Sequence, residues 1–306
     1  MRSLIKGVAE RALVWSGAAA WHRRRVSGRV LVLAYHNIVP DGEPPAGDLA
    51  NHLPLSRFVT QVDLLEQTHD VIPLEEALLP SSEARGRGRP RVAITFDDAY
   101  GGAVEHGIGE LVRRGLPATI FVAPAFLGGH SFWWDALARD GNAGLDPEVR
   151  SRALGELRGE DAAVRAWASA NRHDVHDLPP ALCAATEDDV LRASRLPGIT
   201  LGSHTWSHPN LPLLGPEELR SELERPLAWL RERVAKPLPW IAYPYGLHDA
   251  SVMRAARDAG YVAALGVSGG WLAQRPTELL SLPRVNIPPG VSSRGFSLRA
   301  AGLLCS

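Results

Sequence analysis

The chain alternates short, almost wholly apolar runs with longer segments of helical periodicity, and this alternation restricts its possible folds more than any other feature. Strands that are apolar on both faces belong to a parallel sheet covered by helices. Several helical segments have proline near the start or glycine just past the end, as helix termini prefer. The predicted strands are residues 29–36, 91–96, 118–124, 198–203, 239–244 and 261–267, and the predicted helices are residues 56–67, 102–114, 216–234 and 250–259. We therefore predict an α/β fold of consecutive βα units.

The composition is that of an ordinary soluble domain, with 22% charged and 45% hydrophobic residues among 306 positions and a formal charge of −1. This balance argues against a general nucleic-acid binder, which usually carries basic charge over the whole domain. The two cysteines, Cys183 and Cys305, indicate neither a disulfide framework nor a zinc-thiolate site.

Positive charge is concentrated at the start of the chain. Residues 1–29 carry a net charge of +6, which leaves −7 for residues 30–306. Apolar residues recur there at helical spacing, at Leu4, Val8, Ala12 and Trp15. We interpret residues 1–29 as a basic amphipathic segment and residues 30–306 as one barrel domain. The segment suits peripheral contact with an anionic membrane surface, and the alternative is a helix packed on the domain with a solvated charge cluster.

We expect a cytoplasmic protein, with peripheral contact at the inner face of the cell membrane as one alternative. Glu10 and Arg11 interrupt the uncharged apolar core that a secretory signal requires. The sequence also lacks an apolar run of about eighteen residues, the length that a membrane-spanning helix needs.

Residues 141–197 interrupt the regular alternation with a charge-rich stretch that reads as helices. Asp146 followed by Pro147 opens one of them, and Thr186 is a predicted N-cap of another. We interpret the stretch as a helical insertion over the barrel mouth, which acts either as a lid or as a plain surface elaboration.

The polar residues of interest directly follow predicted strands. They are His36, Asp97, Asp98, His204 and Tyr245. In a barrel of βα units, the residues after the strands meet at the carboxyl-terminal rim, where such folds place their chemistry.

Two polar clusters together indicate a metal-dependent hydrolase. His204 and His208 are four residues apart, and with one aspartate they can bind a divalent cation while leaving positions open for water and substrate. Asp97 and Asp98 point in different directions at a strand end, so one can bind metal while the other accepts a proton from water. Each cluster alone is weak evidence, because an aspartate pair is often a helix cap.

The motifs resemble those of the polysaccharide deacetylases, carbohydrate esterase family 4. TFDDAY at residues 95–100, HTWSH at residues 204–208 and WIAYPYG at residues 240–246 are similar, in that order, to the first three motifs of the family. LAYHNI at residues 33–38 resembles the opening strand of a bacterial branch with a Tyr-His pair. The resemblance implies a distorted (β/α) barrel of about seven parallel strands, and we expect the helical insertion of residues 141–197 to lie over its carboxyl-terminal rim.

The resemblance also implies the roles of the site residues. A divalent metal, usually zinc, with cobalt or nickel as alternatives, would be held by Asp98, His204 and His208. Asp97 matches the general base, and Tyr245 matches the residue whose backbone N–H helps to hold the oxyanion. The implied reaction is hydrolysis of an N-acetyl group on an amino sugar, so the implied partner is an acetylated glycan of the cell envelope.

The sequence departs from the family pattern at three positions. Ala242 stands where the third motif commonly has an arginine that orients the base, and Ala99 stands where the first motif usually has glycine. Arg284 lies in the region where the last motif commonly has a histidine as general acid. His36 is our first candidate for the missing acid and His248 the second, and Asp97 could also return its proton to the leaving amine.

Further residues are predicted to contact the substrate. Trp133 or Trp134 would stack on a sugar ring, unless they clamp the inserted helices. Arg284 would grip an anionic group, unless it forms an ion pair within the protein. His248 would lie close to the substrate after the PYG turn.

Three functions remain open from the sequence. The first is N-deacetylation of a polysaccharide or a lipid-linked glycan precursor, which the basic start of the chain favours. The second is a deformylase or another amidase, because such a barrel can change substrates by loop variation. The third is a carbohydrate-binding relative without turnover, suggested by Ala242 and the absent histidine, although both aspartates and both site histidines are present.

Overall fold

A curled parallel sheet lies at the centre of the computed structural model, which describes residues 18–26, 29–43, 45–79, 89–139, 144–273 and 275–303. The strands are β1 (Val30–Tyr35), β2 (Asn37–Val39), β3 (His52–Pro54), β4 (Asp70–Val71), β5 (Arg91–Phe96), β6 (Ala118–Val122), β7 (Ile199–Ser203), β8 (Trp240–Ala242), β9 (Ala263–Leu265) and β10 (Val285–Asn286). The main sheet runs in the order β10-β1-β5-β6-β7-β8-β9, with β4 paired to the first residues of β5, and all these pairs are parallel.

The apolar runs of the sequence form the strands that were predicted. All residues of β1, β5 and β6 are buried, as expected for strands covered on both faces. The seven-strand path forms a half-barrel, which confirms the predicted α/β fold. The sequence did not reveal β10, β4 or the small β2–β3 pair, because two or three residues are too few to show a period.

The helices cover the sheet and agree closely with the predicted segments. A π-helical stretch, Ala103–Ile108, continues directly into the α-helix Gly109–Arg113. Together they form the helix predicted over residues 102–114. The α-helices are α1 (Ala18–Arg25), α2 (Leu55–Thr68), α3 (Gly109–Arg113), α4 (Trp133–Ala136), α5 (Pro147–Leu154), α6 (Asp161–Ala170), α7 (Glu187–Ala193), α8 (Pro216–Arg233), α9 (Ala250–Ala259) and α10 (Ser293–Ala300).

The insertion contains α5, α6 and α7, and both predicted caps are present. The Asp146 carboxylate accepts the N–H of Glu148 at 2.8 Å, and Thr186 forms a capping box with Asp189. The insertion is joined to the rim by Asn210, whose backbone N–H donates to Arg158 O at 2.7 Å and whose Nδ2 donates to Leu154 O at 2.8 Å. Whether it also acts as a lid stays a prediction.

Helix α1 packs against α10 at the other end of the chain. Ala19 is buried with Leu298 and Ala301, and His22 Nδ1 donates to Ala301 O at 2.7 Å. The indole of Trp21 is exposed. The apolar positions Leu4, Val8, Ala12 and Trp15 lie outside the described residues, and among the helices that are described none is long and apolar enough to span a bilayer.

Gly202→Ala tests the packing of β7 directly, and Gly109→Ala at the start of α3 is its control. A Cβ at Gly202 would lie 2.6 Å from Phe121 Cε1, so we expect Gly202→Ala to lower the free energy of unfolding by about 1–3 kcal/mol. Gly109 is helical and exposed, and no atom lies within 4 Å of an added Cβ. Gly109→Ala should therefore raise the free energy of unfolding by about 0.5–1 kcal/mol. Urea unfolding measures both, and equal effects of the two variants would contradict the packing described here.

Candidate active site

Polar side chains that follow the strands border one cavity of about 340 Å³ at the carboxyl-terminal rim. Eight of the ten side chains predicted for the site line it: His36, Asp97, Asp98, Trp134, His204, His208, Tyr245 and Arg284. A larger groove of about 880 Å³ is lined by Ser207 and Pro209 but by none of those eight. The smaller cavity is therefore the candidate active site.

Asp98, His204 and His208 converge on one point. Their candidate ligand atoms all lie within 4.8 Å of one another. Asp98 Oδ1 is 3.4 Å from His204 Nε2 and 3.3 Å from His208 Nε2, and the two imidazole Nε2 atoms are 3.1 Å apart. All three side chains are buried, and two imidazoles with one carboxylate are a donor set that zinc and related divalent ions accept.

The two imidazoles are presented as neutral donors. Burial lowers the pKa of His204, and it lowers the pKa of His208 well below its ordinary value, to which the neighbouring His204 contributes. His204 Nδ1 donates to the carbonyl oxygen of Ala242 at 2.7 Å, so its Nε2 lone pair faces the cluster. The neutral ring is the form that binds a metal.

The loop between these histidines is held from outside the cavity. Glu222 in α8 accepts the backbone N–H groups of Trp206 and Ser207 at 3.0 and 2.8 Å and the Ser207 hydroxyl at 2.7 Å. Inside the loop, Thr205 Oγ1 accepts the N–H of His208 at 3.0 Å. These bonds fix the backbone that carries both imidazoles.

Arg284 is the cation that faces Asp97. Its Nη1 and Nη2 donate to Asp97 Oδ1 and Oδ2 at 2.6 and 2.7 Å, and the arginine is fully buried. Burial alone raises the pKa of Asp97, but the positive charge of Arg284 and its hydrogen bonds outweigh this and hold the pKa well below its usual range. Asp97 is therefore ionised at neutral pH, as a proton acceptor must be.

Asp98 has no comparable partner. Burial raises its pKa well above the usual range, and the negative charges of Asp97 and Asp135 raise it further. Asp98 Oδ1 is buried and has no hydrogen-bond partner among the described residues. An ionised carboxylate in this position is costly without a cation, so the orphaned oxygen fits a divalent ion beside the two imidazoles.

Backbone strain is concentrated in the three motif loops. Among the described residues, seven non-glycine positions have positive φ, and five of them are at or next to the site: Asp98, Ala99, Thr205, His208 and Tyr245. Ala99 has φ +55°, which explains why glycine would also suit this position. Left-handed backbone costs energy and persists where surrounding contacts impose it, as at functional sites.

The two adjacent tryptophans have different environments. Trp134 lines the cavity, but Trp133 is fully buried and lies outside its wall, so Trp133 has no face open to a sugar ring. This corrects the alternative in which Trp133 contacts the substrate. Trp133 belongs instead to the core that lies under the inserted helices.

The two histidines considered as the general acid, His36 and His248, lie in different surroundings. His36 is half-buried in the cavity wall, and burial lowers its pKa to about 4, with Asp97 acting in the opposite direction. His248 lies outside the cavity wall, where Nε2 bonds Ser281 Oγ at 2.8 Å, Nδ1 lies 3.1 Å from Gly246 O and the ring stacks on Tyr243. The geometry therefore favours His36 over His248 as a residue that reaches the substrate.

The sequence left two roles open for Arg284 and did not single out three polar residues of the cavity wall. Arg284 forms the ion pair within the protein, so its guanidinium is occupied by Asp97. Asn51, Arg150 and Asn286 line the cavity without having been singled out. Asn286 ends β10, a strand of only two residues. Asn51 lies in a loop and Arg150 in the insertion, and in neither place does a periodic pattern identify a residue at the rim.

Known proteins resemble this chain in sequence. The model of the polysaccharide deacetylase family matches residues 84–264. The Bacillus subtilis (strain 168) protein YxkH, which carries the name of a polysaccharide deacetylase, is 21% identical over 279 residues, covering 91% of this chain and 78% of YxkH.

Two solved structures share the fold. The Streptococcus pyogenes deacetylase PplD, solved in complex with acetate, superposes with a TM-score of 0.60 at 17% identity and covers 87% of this chain and 96% of PplD. IcaB from Ammonifex degensii superposes with a TM-score of 0.60 at 18% identity and covers 90% of this chain and 98% of IcaB. The family match spans more than half of the sequence and contains the aspartate pair and both site histidines. The chain therefore belongs to the polysaccharide deacetylase family.

Proposed function

We propose that this protein is a metal-dependent hydrolase that removes an N-acetyl group from an amino sugar in a polysaccharide or a lipid-linked glycan precursor. One observation carries the proposal: Asp98, His204 and His208 converge beside an aspartate that Arg284 keeps ionised. The two adjacent carboxylates thereby have different partners, and each has a different chemical task.

Asp98, His204 and His208 would hold the divalent ion, and zinc, cobalt or nickel suits such a donor set. When bound, the ion would act as a Lewis acid that polarises the acetyl carbonyl and lowers the pKa of water. The strained backbone at Asp98 and His208 turns both side chains toward the same point, with φ of 69° and 59°.

Asp97 would accept the proton of the attacking water. Its low pKa ensures that the carboxylate is ionised, and the bidentate contact with Arg284 fixes its orientation. Ala242 offers no guanidinium at the position where the family commonly has one, and Arg284 supplies that group from the residue just before β10.

Tyr245 and His36 would complete the reaction. The backbone N–H of Tyr245, at a turn with φ 57°, would donate to the developing oxyanion. His36 is neutral at neutral pH, so it could protonate the leaving amine only after receiving a proton during the reaction, and Asp97 is the alternative donor.

Acetate release tests the function. Purified protein with added zinc should release acetate from N-acetylhexosamine oligomers or membrane-derived lipid-linked glycans, and Asp97→Asn should lower turnover by about 10²–10⁴-fold because it removes the base. Asp98→Ala, His204→Ala and His208→Ala should lose bound metal, whereas Asp97→Asn should retain it.

Metal analysis of the same four variants is the control for this division of roles. Equal metal loss in all of them would contradict it. Formate release without acetate release would point to a deformylase, and metal binding without any turnover would point to a binding protein.

The Arg284–Asp97 pair is tested by a double-mutant cycle. Arg284→Met leaves a buried carboxylate without its partner, so we expect the free energy of unfolding to fall by about 3–5 kcal/mol. Adding Asp97→Asn removes that charge and should restore part of the loss, with a coupling energy of about 1–3 kcal/mol. Urea unfolding of the wild type, both single variants and the double variant measures this, and purely additive costs would show that the two side chains do not interact.

We also propose that the basic segment of residues 1–29 brings a cytoplasmic enzyme to the inner face of the membrane, close to lipid-linked substrates. The net charge of +6 and the exposed Trp21 in α1 support this. Because α1 packs on α10, the informative deletion removes residues 1–17 and keeps α1. This deletion removes the apolar positions Leu4, Val8, Ala12 and Trp15 but keeps Trp21 and four arginines of the segment. Flotation with anionic vesicles should therefore recover the full chain and a smaller fraction of the deletion variant, and absence of binding by the full chain would refute membrane contact.

A further inference from the structure

The ring of His208 is held differently from that of His204. His204 Nδ1 is bound to the carbonyl oxygen of Ala242, which fixes the rotation of its imidazole. His208 Nδ1 is buried and has no hydrogen-bond partner among the described residues. A metal-binding histidine almost always donates a hydrogen bond from its second ring nitrogen, as His204 does. Because His208 lacks this bond, other contacts must orient its ring.

Aromatic rings enclose His208 instead. Its ring centroid lies 4.9 Å from that of Trp134 and 4.6 Å from that of Tyr245, and Trp134 and Tyr245 are themselves 6.2 Å apart. These distances correspond to direct ring contact, in which tilted and edge-on arrangements are favourable. The imidazole therefore lies in an aromatic slot with Trp134 on one side.

The indole of Trp134 is itself fixed by a buried hydrogen-bond chain. Trp134 Nε1 donates to the Tyr100 hydroxyl at 2.7 Å, and that hydroxyl donates to Asp135 Oδ2 at 2.6 Å. Asp135 is fully buried, and its Oδ1 accepts the Asp48 N–H at 2.7 Å and His52 Nε2 at 3.0 Å. The ring of Phe132 stacks on the indole at 4.7 Å with an angle of 8° between the planes.

These contacts join the Trp134 indole, through Tyr100 and Asp135, to Asp48 and His52, and so they fix the position of the indole. Asp135 and Tyr100 lie outside the cavity wall, whereas Trp134 is part of it. If Trp134 only packed against apolar neighbours, its indole would need no link to the buried carboxylate of Asp135. Burying a carboxylate is costly unless its oxygens are fully hydrogen-bonded, and Asp135 accepts from three donors.

We propose that Trp134 is a positioning residue for the metal site, which orients the His208 imidazole by ring contact and is itself held by Tyr100 and Asp135. The inference rests on the proposed function, because it requires that His208 binds a metal. It assigns Trp134 a role beyond that of a wall for the sugar ring, and it gives the Tyr100–Asp135 pair a role in metal affinity.

Metal affinity, measured by competition with a chromophoric chelator, tests the proposal. Trp134→Leu removes the ring and should weaken zinc binding by about 10–100-fold, the range for lost support of a metal ligand. Tyr100→Phe removes only the hydroxyl that anchors the indole, and we expect a loss near the lower end, about tenfold. Trp271→Phe is the matched control, since Trp271 stacks on His69 away from the cavity and should leave the affinity unchanged.

The visible spectrum of the cobalt-loaded protein gives a second readout, because it reports the geometry of the metal ligands. We expect Trp134→Leu and Tyr100→Phe to change the spectrum and Trp271→Phe to preserve it. Unchanged affinity and spectrum in Trp134→Leu, with a raised KM for the glycan, would overturn the proposal and leave Trp134 as a substrate contact only. If Trp134→Leu fails to fold, the result for Tyr100→Phe decides.

The wild type separates this inference from the proposed function. A wild-type protein that binds no metal would refute the proposed function. A wild type that binds metal and releases acetate, together with Trp134 and Tyr100 variants of the same affinity, would refute only the role of Trp134.

Discussion

Two adjacent buried carboxylates require two different cations, and the arrangement of the rim follows from this requirement. Asp97 and Asp98 close a strand whose residues are all buried, where an ionised group is costly without a positive partner. Arg284 meets Asp97 with a fully buried bidentate contact. Asp98 faces two neutral imidazoles, which leaves its charge to be balanced by the divalent ion that we propose. In the function that we propose, this pair of residues supplies both a metal ligand and a base.

The Arg284–Asp97 pair accounts for the most conspicuous departure from the family pattern. Ala242 lacks a side chain that could reach the base, but its carbonyl oxygen still fixes His204. The guanidinium comes instead from the residue preceding β10, and β10 pairs with β1, which in turn pairs with β5. In this register Val285 lies level with Leu33 and Ile94, so the backbone of Arg284 lies below the rim. Its long side chain extends past Thr95, to which Nη1 donates at 3.2 Å, and thereby reaches Asp97. In the function that we propose, Arg284 replaces the arginine that is absent at Ala242, so the departure at Ala242 does not by itself argue against activity.

Much of this organisation is accessible from the sequence, and what is not accessible has a physical reason. The apolar runs and the positions after them determine the parallel sheet and bring Asp98, His204 and His208 to one rim. The partner of Asp97 depends on a contact between residues 187 positions apart and on a strand of two residues, which no local pattern reveals. Trp133 and Trp134 are indistinguishable as letters, and only the direction of each side chain decides which one lines the cavity.

Anomalous diffraction from zinc-soaked crystals, collected on both sides of the zinc absorption edge, shows whether the two carboxylates have separate cations. We expect a single strong zinc peak at the rim, about 2.0–2.2 Å from Asp98, His204 Nε2 and His208 Nε2, with Arg284 still bound to Asp97. A peak coordinated by Asp97, or no peak between the two imidazoles at saturating zinc, would contradict the assignment of separate cations to the two carboxylates.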